Sequence, residues 1–344
     1  MRSAKPSNRH SNQPRLGAEI FVIARLNSNR TTQALITVTA LVTFSGCSGT
    51  VSQFSPRVTS SGGESNAWQV TQPFAALQTE SASPTLYASS STANTVTEYQ
   101  LPSDTIIGTL GASSGINNGP SGMFFSKDKL YVTNGNQVLI FPVGKTTPSL
   151  ILQDPISAPF ADDVVAASDG TVYVANEEND YCGYGEVVVF KKGQTAPEYT
   201  IIPPKVNFVL SVTLDSSNNL YIAYDTTFNT AHIREYAPGS QTGTETGWSV
   251  KSPSGMVFDK SGNLVVVDGT IIDVFTPGIP KPVRTFGSLN NGGFVTLNRS
   301  ETLLFSTNWG ANEIDELNYS TGKMVKTITL AGAAGIAIDP SSSP

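Results

Sequence analysis

Two acidic residues stand side by side at Asp162 and Asp163, and Asn176, Glu177, Glu178 and Asp180 follow within one short stretch. Carboxylates and amide oxygens are natural ligands of hard cations, so Asp162, Asp163 and Asn176 form a candidate calcium site, although no EF-hand spacing accompanies them. His232 is the only histidine outside the first ten residues. With no second basic partner accompanying it, it reads as an ordinary loop residue. Trp309, set in Asn308-Trp309-Gly310, offers a flat face that could stack on a sugar or an apolar ligand, or could anchor its own loop. The two cysteines, Cys47 and Cys182, form no CxxC pair, and Cys182 has no histidine near it in sequence and is expected to be unreactive.

These side chains need a scaffold, and the chain builds one by repetition. Short hydrophobic strands open at Leu86-Tyr87, Leu130-Tyr131, Val172-Tyr173, Leu220-Tyr221, Leu264-Val265 and Leu303-Leu304, at intervals of 44, 42, 48, 44 and 39 residues. That period is the length of one four-stranded propeller blade. The fifth repeat is the cleanest, with strands over 254–259, 263–267, 271–275 and 282–286. In the hairpin turns at 168–172, 215–220 and 298–303, Asp, Asn or Ser is expected to bond turn amides while Gly or Asn takes positive φ. The first repeat has three strands and lacks an inner one, which Gly335-Ile336-Ala337-Ile338-Asp339 supplies from the other terminus. The sequence therefore predicts an all-β fold: a six-bladed β-propeller with four-stranded blades, closed by pairing the C-terminal strand with the N-terminal blade. Such closure leaves no long unpaired sheet edge.

In this ring, the loops entering the inner strands and those joining second to third strands share one face around the tunnel mouth, where loops are free to vary. That face gathers Asp162, Asp163, Asn134, Asn176, Glu177, Glu178, Asp180, Asn207, Asp225, His232, Asp268, Asn308 and Trp309. Asn134, Asn176, Asp225, Asp268 and Asn308 occupy one repeat position at the end of the second strand. There they either satisfy turn amides in every blade or serve as ligand-binding groups. Asp162 and Asp163 precede the expected inner strand Val164–Ala167, where other blades carry Ser-Gly. A departure from a repeat's own rule can mark function.

Composition narrows the partners. Low charge content with 30 Gly and 21 Pro suits many short strands joined by tight turns. Residues 1–46 carry six Lys/Arg and one Glu, net +5, against −6 for the whole chain, so residues 47–344 carry −11. An acidic domain disfavours nucleic acid and is repelled by anionic lipid headgroups.

Arg25 and Arg30 precede the apolar run 34–44, which is too short to span a bilayer and fits a secretory signal peptide over residues 1–46. It ends in Phe44-Ser45-Gly46-Cys47, which resembles the lipobox of bacterial lipoproteins, with Phe44 in place of the usual Leu. The resemblance implies lipidation at Cys47; an ordinary cleaved leader with an incidental cysteine is the alternative. Residues 47–80, rich in Ser, Thr, Gln and Gly, read as a flexible tether, and 81–344 as the propeller. With Cys47 lipidated no intrachain disulfide is available.

Gly170-Thr171-Val172-Tyr173-Val174-Ala175-Asn176, Lys129-Leu130-Tyr131-Val132-Thr133-Asn134 and Asn219-Leu220-Tyr221-Ile222-Ala223-Tyr224-Asp225 resemble the blades of NHL-repeat and gluconolactonase-like propellers. The resemblance covers about residues 84–340. Its families include lactonases, lyases and binding scaffolds, so it implies architecture more than chemistry. A lipid-anchored monomeric scaffold in the bacterial cell envelope, binding a protein, glycan or small ligand through its loop-rich face, is the expected function. A gluconolactonase-like metal hydrolase drawing on Asp162 or Asp163 is one alternative, and a lyase of the streptogramin type resting on His232 is the other.

Overall fold

A strand buried on both faces must be apolar at consecutive positions, and the second strand of each repeat has that character. In the computed structural model, which describes residues 83–154, 161–177, 184–227 and 230–339, these strands sit between neighbouring blades of a ring. The expected leader and tether, Cys47, and Glu178, Asp180 and Cys182 lie outside the described residues.

Blade 1 contains β1 (Thr85–Ser90), β2 (Thr95–Gln100) and β3 (Thr105–Leu110). Blade 2 contains β4 (Pro120–Ser126), β5 (Lys129–Asn134), β6 (Gln137–Pro142) and β7 (Leu150–Gln153). Blade 3 follows with β8 (Ala161–Ala166), β9 (Val172–Asn176), β10 (Glu186–Phe190) and β11 (Tyr199–Ile201). Blade 4 has β12 (Phe208–Leu214), β13 (Leu220–Thr227), β14 (Thr230–Tyr236) and β15 (Thr244–Glu245). Blade 5 has β16 (Pro253–Phe258), β17 (Leu264–Asp268), β18 (Ile271–Phe275) and β19 (Arg284–Phe286). Blade 6 has β20 (Gly292–Leu297), β21 (Leu303–Asn308), β22 (Glu313–Asn318) and β23 (Met324–Thr329). The last strand, β24 (Ala333–Ile338), pairs antiparallel with β1, matching Leu86 to Ile338, Tyr87 to Ala337 and Ala88 to Ile336. The first blade is thus completed from the far end of the chain, as the repeats require.

Six apolar clusters hold the ring together, one at each junction between adjacent blades. Side chains alternate faces along a strand, so each second-strand dipeptide serves two junctions. Leu130 packs toward blade 1 and Tyr131 toward blade 3; Leu220 packs toward blade 3 and Tyr221 toward blade 5. The sixth repeat corrects the expected frame by one residue. Leu304 faces blade 5 and Phe305 faces blade 1, whereas Leu303 is only partly buried, so the pair equivalent to Leu86-Tyr87 is Leu304-Phe305.

The hairpin turns follow their predicted chemistry. Asp215 Oδ1 accepts the amides of Ser217 and Asn219, each at 2.8 Å, while Asn218 takes φ 63°. Asp259 Oδ1 does the same for Ser261 at 2.9 Å and Asn263 at 2.8 Å, with Gly262 at φ 80°.

Each inner strand carries one irregularity against its second strand, always near its entry. The register shifts between Pro120 and Met123, Ala161 and Asp163, Val209 and Ser211, Pro253 and Met256, Gly292 and Val295, and opposite Ala88–Ser90 in β24. A bulge re-aims the side chains beside it and sharpens strand twist. Here it turns two residues per blade, six pairs in all, toward the tunnel mouth and the adjoining blade.

Candidate functional site at the tunnel mouth

The paired bulge residues are Ser121-Gly122, Asp162-Asp163, Leu210-Ser211, Ser254-Gly255, Gly293-Phe294 and Ala334-Gly335. The first of each pair is partly exposed, and the second is buried in every blade but the sixth, where Phe294 is partly exposed. Close approach of the next blade explains the glycines: a Cβ on Gly255 would lie 2.4 Å from Phe294 Cα, and one on Gly335 would lie 1.9 Å from the Ser121 carbonyl oxygen. Asp162 and Asp163 do not precede the inner strand, as expected from the sequence, but lie within β8 at its bulge.

Below the bulges the tunnel is narrow and mostly apolar. A space of about 90 Å³ is bounded by all six inner strands through Met123, Val164, Val212, Met256, Val295 and Ile336, among others. Above it opens a cavity of about 370 Å³ lined by Ser91, Ser121, Asp162, Glu177, Gly292, Gly293, Phe294, Trp309, Ala333 and Ala334. Blades 1, 2, 3 and 6 build this mouth. Trp309, 54% exposed, comes from the turn after β21, and Glu177 from the end of β9.

The adjacent carboxylates do different work. Asp163 points away from the mouth into the junction with blade 4, where its Oδ2 accepts the Ser211 hydroxyl at 2.7 Å and the Val212 amide at 3.0 Å. Its Oδ1 accepts the Val164 amide at 2.8 Å. Burial pushes the Asp163 carboxyl up to about 6, against the opposing pull of those three hydrogen bonds. Asp162 faces the cavity, with Oδ1 accepting the Ser121 hydroxyl at 2.9 Å. Burial, then the charges of Asp163 and Glu177, raise its carboxyl to about 7, while the Ser121 hydrogen bond works the other way. A carboxyl that titrates near neutrality inside a cavity is able to exchange its proton for another cation.

The repeat-position amides and carboxylates are loop staples. Asn134 Oδ1 accepts the amides of Asn117 at 3.1 Å and Asn118 at 3.0 Å; Asp225 Oδ1 accepts that of Phe208 at 2.9 Å. Asp268 holds the Lys251 and Ser252 amides, and Asn308 Oδ1 that of Asn290 at 2.8 Å. In four blades, therefore, this side chain ties down the loop that enters the inner strand. Asn176 donates to Asp154 Oδ2 at 2.6 Å and is buried. None of Asn176, Asp225, Asp268 and Asn308 lines the mouth cavity.

Of the calcium candidates Asp162, Asp163 and Asn176, only Asp162 lines the mouth cavity. Asp163 and Asn176 direct their groups into separate buried contacts, and among the described residues no three His, Cys, Asp or Glu side chains come together as a metal-ligand set. His232 lies on β14, the third strand of blade 4, stacked on Tyr224 at 5.4 Å between ring centroids, with Nδ1 3.7 Å from Glu245 Oε2 on the outer strand β15. It takes no part in the mouth.

No protein-family model matches the chain, and no curated protein matches it. Solved structures do. A chain of the nidogen/laminin complex aligns with a TM-score of 0.59 at 16% identity, covering 76% of this chain and 100% of that one. A protein of unknown function from Bacteroides caccae gives 0.58 at 13% identity, over 74% and 98%. Hydrazine synthase of Kuenenia stuttgartiensis gives 0.52 at 13%, over 75% and 87%. At these identities the likeness establishes the propeller fold alone.

Phe294 is the mouth residue that sequence reasoning missed. Its signal was present: Gly293-Phe294 departs from the Ser-Gly pattern of the bulge just as Asp162-Asp163 does. Two of the six pairs are Ser-Gly; among the others, those of blades 3 and 6 bring a carboxyl and an aromatic ring to the cavity, which Ser121 and Ala334 also line.

Proposed function

We propose that the chain is a lipid-anchored, extracytoplasmic binding scaffold that takes its ligand at the tunnel mouth. The observation that carries this reading is the cavity of about 370 Å³ in which one carboxylate of the bulge ring, a second from a loop and an exposed indole share a lining. Cavities of a few hundred Å³ with an apolar wall and a few convergent polar groups are the usual form of a small-ligand site. The lipobox-like Phe44-Ser45-Gly46-Cys47 supports the anchor, and the tether after it would hold the propeller off the membrane. The hydrolase and lyase readings have less to draw on among the described residues: no three His, Cys, Asp or Glu side chains gather as a metal-ligand set there, and His232 lies on β14, away from the mouth cavity.

Two measurements test the reading. Cys47→Ser should move the protein from the membrane to the soluble fraction, and an unchanged distribution would end the anchored reading. Compounds from a small-molecule library that alter the melting temperature of the full chain should lose their effect in Trp309→Ala. Hits indifferent to Trp309 and to Asp162→Asn would remove the mouth as the binding site.

A further inference from the structure

We infer that the mouth cavity selects a ligand carrying an organic cation, such as a protonated amine, on an apolar body. This rests on the mouth being the binding site and names the chemistry it accepts. Among the described residues of the lining, Asp162 and Glu177 are the charged ones, and none is Lys, Arg or His. An anionic ligand would meet two carboxylates there. Trp309 and Phe294 add aromatic surface in the same cavity, and an aromatic face attracts a cation through its ring quadrupole, indole most strongly.

A bare divalent ion fits poorly: it seeks six to eight oxygen ligands around a small sphere, and an indole face contributes none of them. The volume, about 370 Å³, instead suits a molecule whose charged end meets the carboxylates while its body lies against the rings. Gly292, Gly293, Ala333 and Ala334 keep that side of the mouth open, since none extends a long side chain into it. The surroundings of Asp162 point the same way. Burial and the charges of Asp163 and Glu177 oppose its ionisation, and a bound ammonium group offsets that opposition where a proton otherwise would.

Three probes of nearly equal size and different charge make the test: 2-phenylethylamine, 2-phenylethanol and phenylacetate, titrated into the full chain at pH 8 by calorimetry. The amine should bind about tenfold more tightly than the alcohol, and phenylacetate most weakly. Asp162→Asn and Glu177→Gln, near-isosteric changes whose folding is checked by thermal melting, should each erase most of the amine preference. Trp309→Leu should weaken the amine while the variant's melting temperature stays near that of the parent. Equal binding of amine and alcohol, an amine preference that survives both carboxylate changes, or binding of calcium chloride that excludes the amine would overturn the inference. A neutral glycan that binds and is lost in Trp309→Leu, with no amine preference, would overturn the cation chemistry and leave the scaffold reading standing. Loss of every mouth ligand would remove both.

Discussion

Blades 3 and 5 solve the same structural problem with different residues. In blade 5 the bulge is Ser254-Gly255: the Ser254 hydroxyl donates to the carbonyls of Gly293 at 2.8 Å and Gly292 at 3.0 Å, and Gly255 makes room for the backbone of blade 6. In blade 3 the bulge is Asp162-Asp163. Asp163 reaches the next blade as an acceptor, and blade 4 meets it with the Ser211 hydroxyl and the Val212 amide. A donor tie has become an acceptor tie, and the residue before it delivers a carboxyl to the cavity. A neutral Ser-Gly pair would join the blades without bringing a charge to the mouth. The acidic pair places two buried carboxyls side by side, each pushed above its ordinary range. Such a cost is expected where a repeat has been adapted to a site.

The comparison can be broken or sharpened by substitution. Gly255→Asp, which copies blade 3 into blade 5, should be the most damaging change. Its Cβ would press on the Phe294 backbone, and blade 6 has Phe294 where blade 4 offers Asp163 the Ser211 hydroxyl, a loss of about 3 kcal/mol in urea denaturation. If the variant melts like the parent, the glycine requirement is wrong. Asp163→Ala comes next: it strands the Ser211 hydroxyl and the buried Val212 amide, at about 2 kcal/mol, and Asp163→Asn should recover part of that because its Oδ1 still accepts. Ser254→Ala should cost about 1 kcal/mol, the usual net worth of one hydroxyl donor.

Asp162→Asn carries the opposite sign. The folded chain holds the Asp162 proton up to about pH 7, whereas the unfolded chain releases it near 3.8, so folded stability is lost as pH rises between those values. Removing the charge should therefore raise the melting temperature at pH 8, by about 2–4 °C for each kcal/mol recovered, and the gain should vanish near pH 3. A pH-independent shift would mean that Asp162 is no more confined than a surface carboxylate.

Much of the fold was legible because its code is short-range. Leu130-Tyr131 and Leu220-Tyr221 announce strands buried on both sides, and the missing inner strand of the first repeat was visible in Gly335–Asp339 before any pairing was seen. Local turn chemistry at Asp215 and Asp259 was equally readable, since an Asx side chain and the amides two and four residues on lie in one turn. The site was legible only in part. The departure of Asp162-Asp163 from its repeat marked the right place, but Asn176, Asp268 and Asn308 carried the same polar signature for a different reason, holding loops or buried partners. His232 was singled out by rarity, and rarity carries no information about which strand of a blade faces the tunnel.

The linear order of residues was enough to set the number of blades, the closure of the ring and the face that bears the variable loops, because spacing and alternation are properties of neighbouring positions. Tertiary structure alone decided that Asp162 looks into the mouth while Asp163 ties two blades together. A bulge breaks the two-residue alternation from which a strand's facing is otherwise counted. It also decided that Trp309 and Phe294 share a cavity with Asp162 and Glu177, since only a closed ring brings blade 6 and blade 3 to one rim.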